Sequence, residues 1–147
     1  HTPAPNAELI NQAGQLVHLL DLLNDQITVI NVTPNVGTAM CSHQTLIFEK
    51  LSKQYNFNCL TISMRPPAEF ANWKAMSNCQ MSTYTDQGFG ETYGVKLADY
   101  DVLARSVYVI DAQGMIIFHA IPEQMGTEPP YEEIVDVVLQ AAKTSNH

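Results

Sequence analysis

Basic residues are scarce: seven Lys and Arg stand against fifteen Asp and Glu in 147 residues, a formal charge of −8 at pH 7. They do not cluster, so a phosphate backbone or an anionic bilayer would repel the chain, and neither nucleic acid nor a membrane is an expected partner. No run approaches the roughly 20 apolar residues that span a bilayer, and no positively charged start leads into an apolar signal segment. The mature chain therefore reads as soluble. It begins HTPAPNAE without a Met, which fits a removed leader or a trimmed piece and leaves the compartment open. Cysteine is sparse as well. Cys41, Cys59 and Cys79 are an odd number with no C-x-x-C spacing, which fits neither a disulfide scaffold nor a zinc knuckle and leaves at least one thiol over. Charged residues are only 15% against 46% hydrophobic, which excludes a disordered chain and hands the polar surface to Asn, Gln, Ser and Thr. Internal repeats, low-complexity tracts and linkers are missing, so residues 1–147 read as one domain, with 1–13 a poorly ordered N-terminal segment.

What is present alternates between strand and helix patterns. Gln26 to Val32 (QITVINV) is a β-branched, apolar run with little polar relief, the mark of a central strand covered on both faces. Ser42 to Gln54 spaces Leu46, Ile47 and Leu51 as an amphipathic helix does, and Phe57 to Ser63 reads as the next strand. Pro66-Pro67 opens a second helix, AEFANWKAM, since proline is tolerated in a first helical turn. Met81 to Thr85 is a short strand candidate and Phe89 to Tyr93 a helical turn. Ala104 to Asp111 and Met115 to Ile121 flank Asp111 and Gly114 as the arms of a β-hairpin. The last helix has Thr127 as its cap candidate, with Ile134, Val135, Val138 and Leu139 as its apolar face. The segment GQLVHLLDLLND fits helix and strand equally. The order β, α, β, α, β, β, α makes an α/β chain with one sheet and helices on both faces.

On this map Cys41 falls where a strand hands over to the first turn of a helix. Unpaired N–H groups and the helix dipole favour an anion there, and a thiol so placed can fall well below its ordinary pKa of about 8.5. Thr38, one turn earlier, offers a hydroxyl to a substrate oxygen or to the sulfur, while Pro34 shapes the loop and lacks an N–H. A small buried cysteine with Thr38 as a helix cap fits the same letters. Arg105 opens the strand ARSVYVID, which puts a permanently charged, multi-donor group at a sheet end. It suits a thiolate and a reacting oxyanion, or a rim pair with Asp99 or Asp101.

The spacing P-x-x-x-T-x-x-C, here Pro34, Thr38 and Cys41, resembles the active-site loop of peroxiredoxins. NVTPNVGTAMC, LARSVYVID and IIFHAIPEQMGTEPPYEEIVDVVL are similar to the thiol peroxidase branch of that superfamily, over about Gly14 to Leu139. The resemblance implies a thioredoxin-like fold of peroxiredoxin type, a central mixed sheet with helices on both faces, and commonly a homodimer. By the same resemblance Cys41 is the peroxidatic cysteine, Thr38 and Arg105 bind and polarise the peroxide, and Pro34 shields the sulfur. The expected activity is thiol-dependent reduction of hydrogen peroxide or organic hydroperoxides through a sulfenic acid at Cys41, with no metal or organic cofactor. A peroxide-sensing or binding protein without turnover is the alternative.

The chain departs from that branch in two places. The helix AEFANWKAM holds no cysteine where the resolving one usually sits, and Cys79, just beyond it, fits a displaced resolver or a buried structural thiol. A thioredoxin-like reductant opening a disulfide and a small thiol reducing the sulfenic acid both stay open. The branch also carries an N-terminal β-hairpin, for which thirteen residues with two prolines leave little room. Cys59 reads as a buried apolar residue, Trp73 as packing near the site, His18 and His119 as rim histidines, and Glu128, Glu132 and Glu133 as a solvated helix start. His43 with Met40 and Cys41 falls short of a soft-metal site because no second cysteine is close.

Overall fold

The computed structural model describes residues 2–34, 39–77, 79, 81–96, 103–121 and 129–145, with the side chains of 39–41 and 144–145 outside that set. The apolar runs form its middle. Strand β4 (Thr28–Val32) lies parallel to β5 (Asn58–Ser63) and antiparallel to β7 (Ser106–Ile110), with Val29 opposite both Cys59 and Val109. Every residue of β4 and β7 is buried, as a strand covered on two faces requires. Among the described residues eight strands make one sheet in the order β1 (Thr2–Pro3), β8 (Met115–Ala120), β7, β4, β5, β6 (Ser82–Asp86), β2 (Glu8–Ile10), β3 (Leu16–His18).

Alternation along β4 sorts the core into two layers. Val29 faces helices α1 (Ala39–Tyr55), α2 (Pro67–Ser77) and α4 (Tyr131–Ser145), where Phe48, Phe70, Trp73, Ile134 and Val138 meet Val107 and Val109. Ile30 and Val32 face the other way, onto Leu60, Ile62, Tyr108, Leu19 and Phe89 of the short helix α3 (Phe89–Thr92). Helix α1 starts three residues before the pattern predicts, so Cys41 lies within its first turn. The predicted cap Thr127 lies outside the described residues, and α4 begins at Tyr131 behind two prolines. The β7–β8 (Met115–Ala120) hairpin forms as predicted. Asp111 Oδ1 accepts from the N–H groups of Gln113 and Met115 at 3.0 and 2.9 Å, and Gly114 takes φ +84°.

Residues of the N-terminal segment pair into the sheet. β1 (Thr2–Pro3) pairs with β8, and β2 (Glu8–Ile10) pairs with β3 (Leu16–His18) and with β6 (Ser82–Asp86). Three-residue strands leave almost no periodic signal, yet Leu9 is fully buried, and Asn6 Oδ1 accepts the Leu20 N–H at 3.1 Å to lock the following 3-10 turn (Leu19–Leu22). Pro3 sits on the sheet's outermost strand, where a missing donor costs no ladder bond. A tight turn, with Asn11 Oδ1 accepting from the Ala13 and Gln15 N–H groups, fits the hairpin into the space available.

Candidate active site

β4 runs one residue beyond its formal end, because the Thr33 N–H donates to the Ile62 carbonyl at 3.0 Å and continues the parallel ladder. Pro34 stops it, having no N–H to give, and its carbonyl accepts the Ser63 hydroxyl at 3.2 Å. The chain re-enters described structure at Ala39 as α1, which carries Cys41 in the turn whose N–H groups have no helical partners. Thr38 and the Cys41 side chain fall outside the described residues.

Arg105 reaches this edge through antiparallel pairing. Val32 is opposite Ser106, so the start of β7 lies beside the end of β4 and Arg105 comes into register with Thr33. Its Nη1 donates to Gln44 Oε1 at 2.5 Å. Gln44 is three residues past Cys41 and so on the same face of α1. The pairing weighed in the sequence, with Asp99 or Asp101, lies outside the described residues.

Gln44 is held in turn. Its Nε2 donates to Asn31 Oδ1, and Asn31 Nδ2 donates to Thr45 Oγ1 at 3.0 Å and Thr61 Oγ1 at 3.2 Å. All four side chains are fully buried, where a lost partner is most costly. Sequence reasoning missed Gln44 and Asn31. The helical offset from Cys41 was the available signal for the first, and a lone amide inside TVINV for the second.

Trp73 on α2 donates from Nε1 to Ser42 Oγ at 2.9 Å, tying α2 to the residue after Cys41. Cys79 is placed differently. It is buried, and its thiol donates to Glu49 Oε2 at 3.0 Å, two helical turns and about 12 Å along α1 from Cys41. Burial first, then the hydrogen bond to Glu49, pushes this thiol up to about 11. Cys59 is buried in β5 and raised further by the same desolvation. His43, His18 and His119 are exposed, the last stacked near Tyr108 with ring centroids 6.3 Å apart.

Residues 1–119 match the AhpC/TSA family. Over 143 residues the chain is 33% identical to a thiol peroxidase of Listeria innocua, covering 94% of this chain and 86% of that protein. The fold is similar to a peroxiredoxin-like protein from Aquifex aeolicus, with a TM-score of 0.85 at 24% identity over 95% of this chain and 85% of the other. It is also similar to a thiol peroxidase from Chromobacterium violaceum, with a TM-score of 0.84 at 10% identity over 95% and 86%.

Proposed function

The chain belongs to the AhpC/TSA family, and from that premise we propose that it is a thiol peroxidase whose nucleophile is Cys41. The thiolate attacks one oxygen of a hydroperoxide, the S–O bond forms as the O–O bond breaks, and the departing oxygen leaves as water or alcohol after taking a proton from solvent. Sulfur is oxidised by two electrons to a sulfenic acid and the peroxide is reduced by two. Thr38 and Arg105 serve as donors to the peroxide oxygens, and Pro34 covers the sulfur. The observation that carries this reading is the bond from Arg105 to Gln44, which anchors a permanent positive charge one helical turn from Cys41. There it favours the thiolate and offers N–H donors to the charge that builds on the leaving oxygen.

Regeneration is assigned to an external thiol. A resolving cysteine attacks as thiolate, whereas Cys79 is buried, hydrogen-bonded to Glu49 and held as a thiol up to about 11. A bond from Cys79 to Cys41 first has to give up Glu49. The finer reading, supported by family membership alone, is a homodimer reduced by a small thiol or a thioredoxin-like protein in a bacterial cell.

Intact mass after one equivalent of hydrogen peroxide tests the scheme. One added oxygen on Cys41, unchanged in Cys79→Ser, is expected, with dithiothreitol then supporting many turnovers in both. Loss of two hydrogens that needs Cys79 would make it the resolver after all. Peroxide consumption surviving in Cys41→Ser would defeat the nucleophile assignment, and a single turnover would leave a sensor.

A further inference from the structure

Nearly every buried polar side chain at the Pro34 end of the sheet has its hydrogen bonds assigned. Ser63 donates to the Pro34 carbonyl at 3.2 Å and Ser106 to the Ala104 carbonyl at 3.2 Å, while Asn31, Gln44, Thr45 and Thr61 bond one another. Thr33 is the exception. It is fully buried and its Oγ1 has no hydrogen-bond partner among the described residues, although its backbone N–H is in the ladder. A buried hydroxyl left unpaired costs stability, and valine has the same shape without that cost. Among the described residues nothing pairs that hydroxyl, which leaves it for a bound molecule to pair.

Its position says what. The β4–β7 ladder ends with Val32 opposite Ser106, and carrying its register one residue further sets Thr33 against Arg105, on the same face of the sheet. Alternation from Asn31, whose amide bonds Thr45 and the Arg105-bound Gln44 of α1, puts Thr33 on that same helix-covered face. Pro34, the next residue, opens the segment that leads into Cys41. Among the described residues Thr83 Oγ1 is also buried without a partner, but it belongs to β6 in register with Thr61, two strands from β4 and away from Arg105.

Resting on the assignment of Cys41 as nucleophile, we propose that the Thr33 hydroxyl hydrogen-bonds the hydroperoxide held between Cys41 and Arg105. A hydroperoxide offers one O–H and two acceptor oxygens, and a hydroxyl answers both kinds of group, whereas guanidinium only donates. As the thiolate takes one oxygen and the O–O bond breaks, Thr33 donates to the departing oxygen. That oxygen draws its proton from water, so the threonine is unchanged at the end of the step.

The test pairs rate with stability in Thr33→Val, Thr33→Ser and Thr83→Val. The second-order rate of sulfenic acid formation with hydrogen peroxide is read alongside the urea midpoint. Thr33→Val is expected to react about tenfold more slowly, the scale of one neutral hydrogen bond, with a midpoint at or above wild type. Thr33→Ser keeps the wild-type rate. Thr83→Val gains stability at the wild-type rate, since it loses an unpaired hydroxyl far from the peroxide. A wild-type rate in Thr33→Val overturns the proposal. So does a lower midpoint or failure to fold, because the hydroxyl is then bonded within the protein, and so does a slow Thr33→Ser. Oxidation surviving in Cys41→Ser would instead remove the assignment on which the proposal rests.

Discussion

Arg105 and Gln44 meet at 2.5 Å, guanidinium Nη1 to amide Oε1, although 61 positions separate them in the chain. The bond joins the start of β7 to the first turns of α1 and aims a cation at the helix end that carries Cys41. Arg105→Ala is expected to slow peroxide attack by about a hundredfold, the scale of an oxyanion donor. Gln44→Ala acts through Arg105 and costs roughly tenfold, while Gln44→Glu keeps an acceptor for the guanidinium and more of the rate. Stopped-flow rates of the double variant check the linkage: Gln44→Ala on top of Arg105→Ala should add almost nothing.

Asn31 has a larger part in stability than in chemistry. Removing its amide strands Gln44 Nε2 and withdraws a donor from Thr45 and Thr61, all inside the sheet–helix layer. Asn31→Ala is expected to cost about 2–4 kcal/mol, seen as a lower urea midpoint at unchanged slope. A loss near that of a surface substitution would mean that the four side chains do not act as a unit.

Alkaline pH should weaken the fold through the buried thiols. In the unfolded chain a cysteine ionises near 8.5, while folded Cys79 holds its proton up to about 11 and Cys59 is raised in the same direction. Between those values the folded state binds more protons than the unfolded one. The contribution is therefore complete below about pH 8.5 and is lost as pH rises toward 11. Urea midpoints taken at about pH 8 and pH 10 should fall in wild type and fall less in Cys79→Ser.

The chain has one tryptophan, and its indole bonds the hydroxyl next to Cys41. Oxidation of Cys41 is expected to change Trp73 emission on the time course of sulfenic acid formation, and Cys41→Ser should show no such change. Trp73→Phe keeps most of the packing and forfeits one hydrogen bond, a destabilisation of about 1 kcal/mol by urea titration.

Much of this was legible in the letters. TVINV and SVYVI announce two-sided burial by their unbroken β-branched character, and the switch to helical spacing after Pro34 puts Cys41 at a helix start. Those signals are local, because side-chain period follows directly from backbone geometry. The strands Glu8–Ile10 and Leu16–His18 were illegible for the same reason, being too short for a period to show.

The sequence by itself determined the order of elements from Thr28 onward, the helix-start position of Cys41 and the strand-start position of Arg105. Tertiary structure alone decided that β7 runs antiparallel to β4, which brings Arg105 level with Thr33 and within reach of Gln44. It also decided that Asn31 clamps Gln44, and that Cys79 is spent on Glu49. Pairings between residues 13, 30 and 61 positions apart leave no period in the chain. They are chosen by which faces can be buried together and which buried polar atoms can then be satisfied.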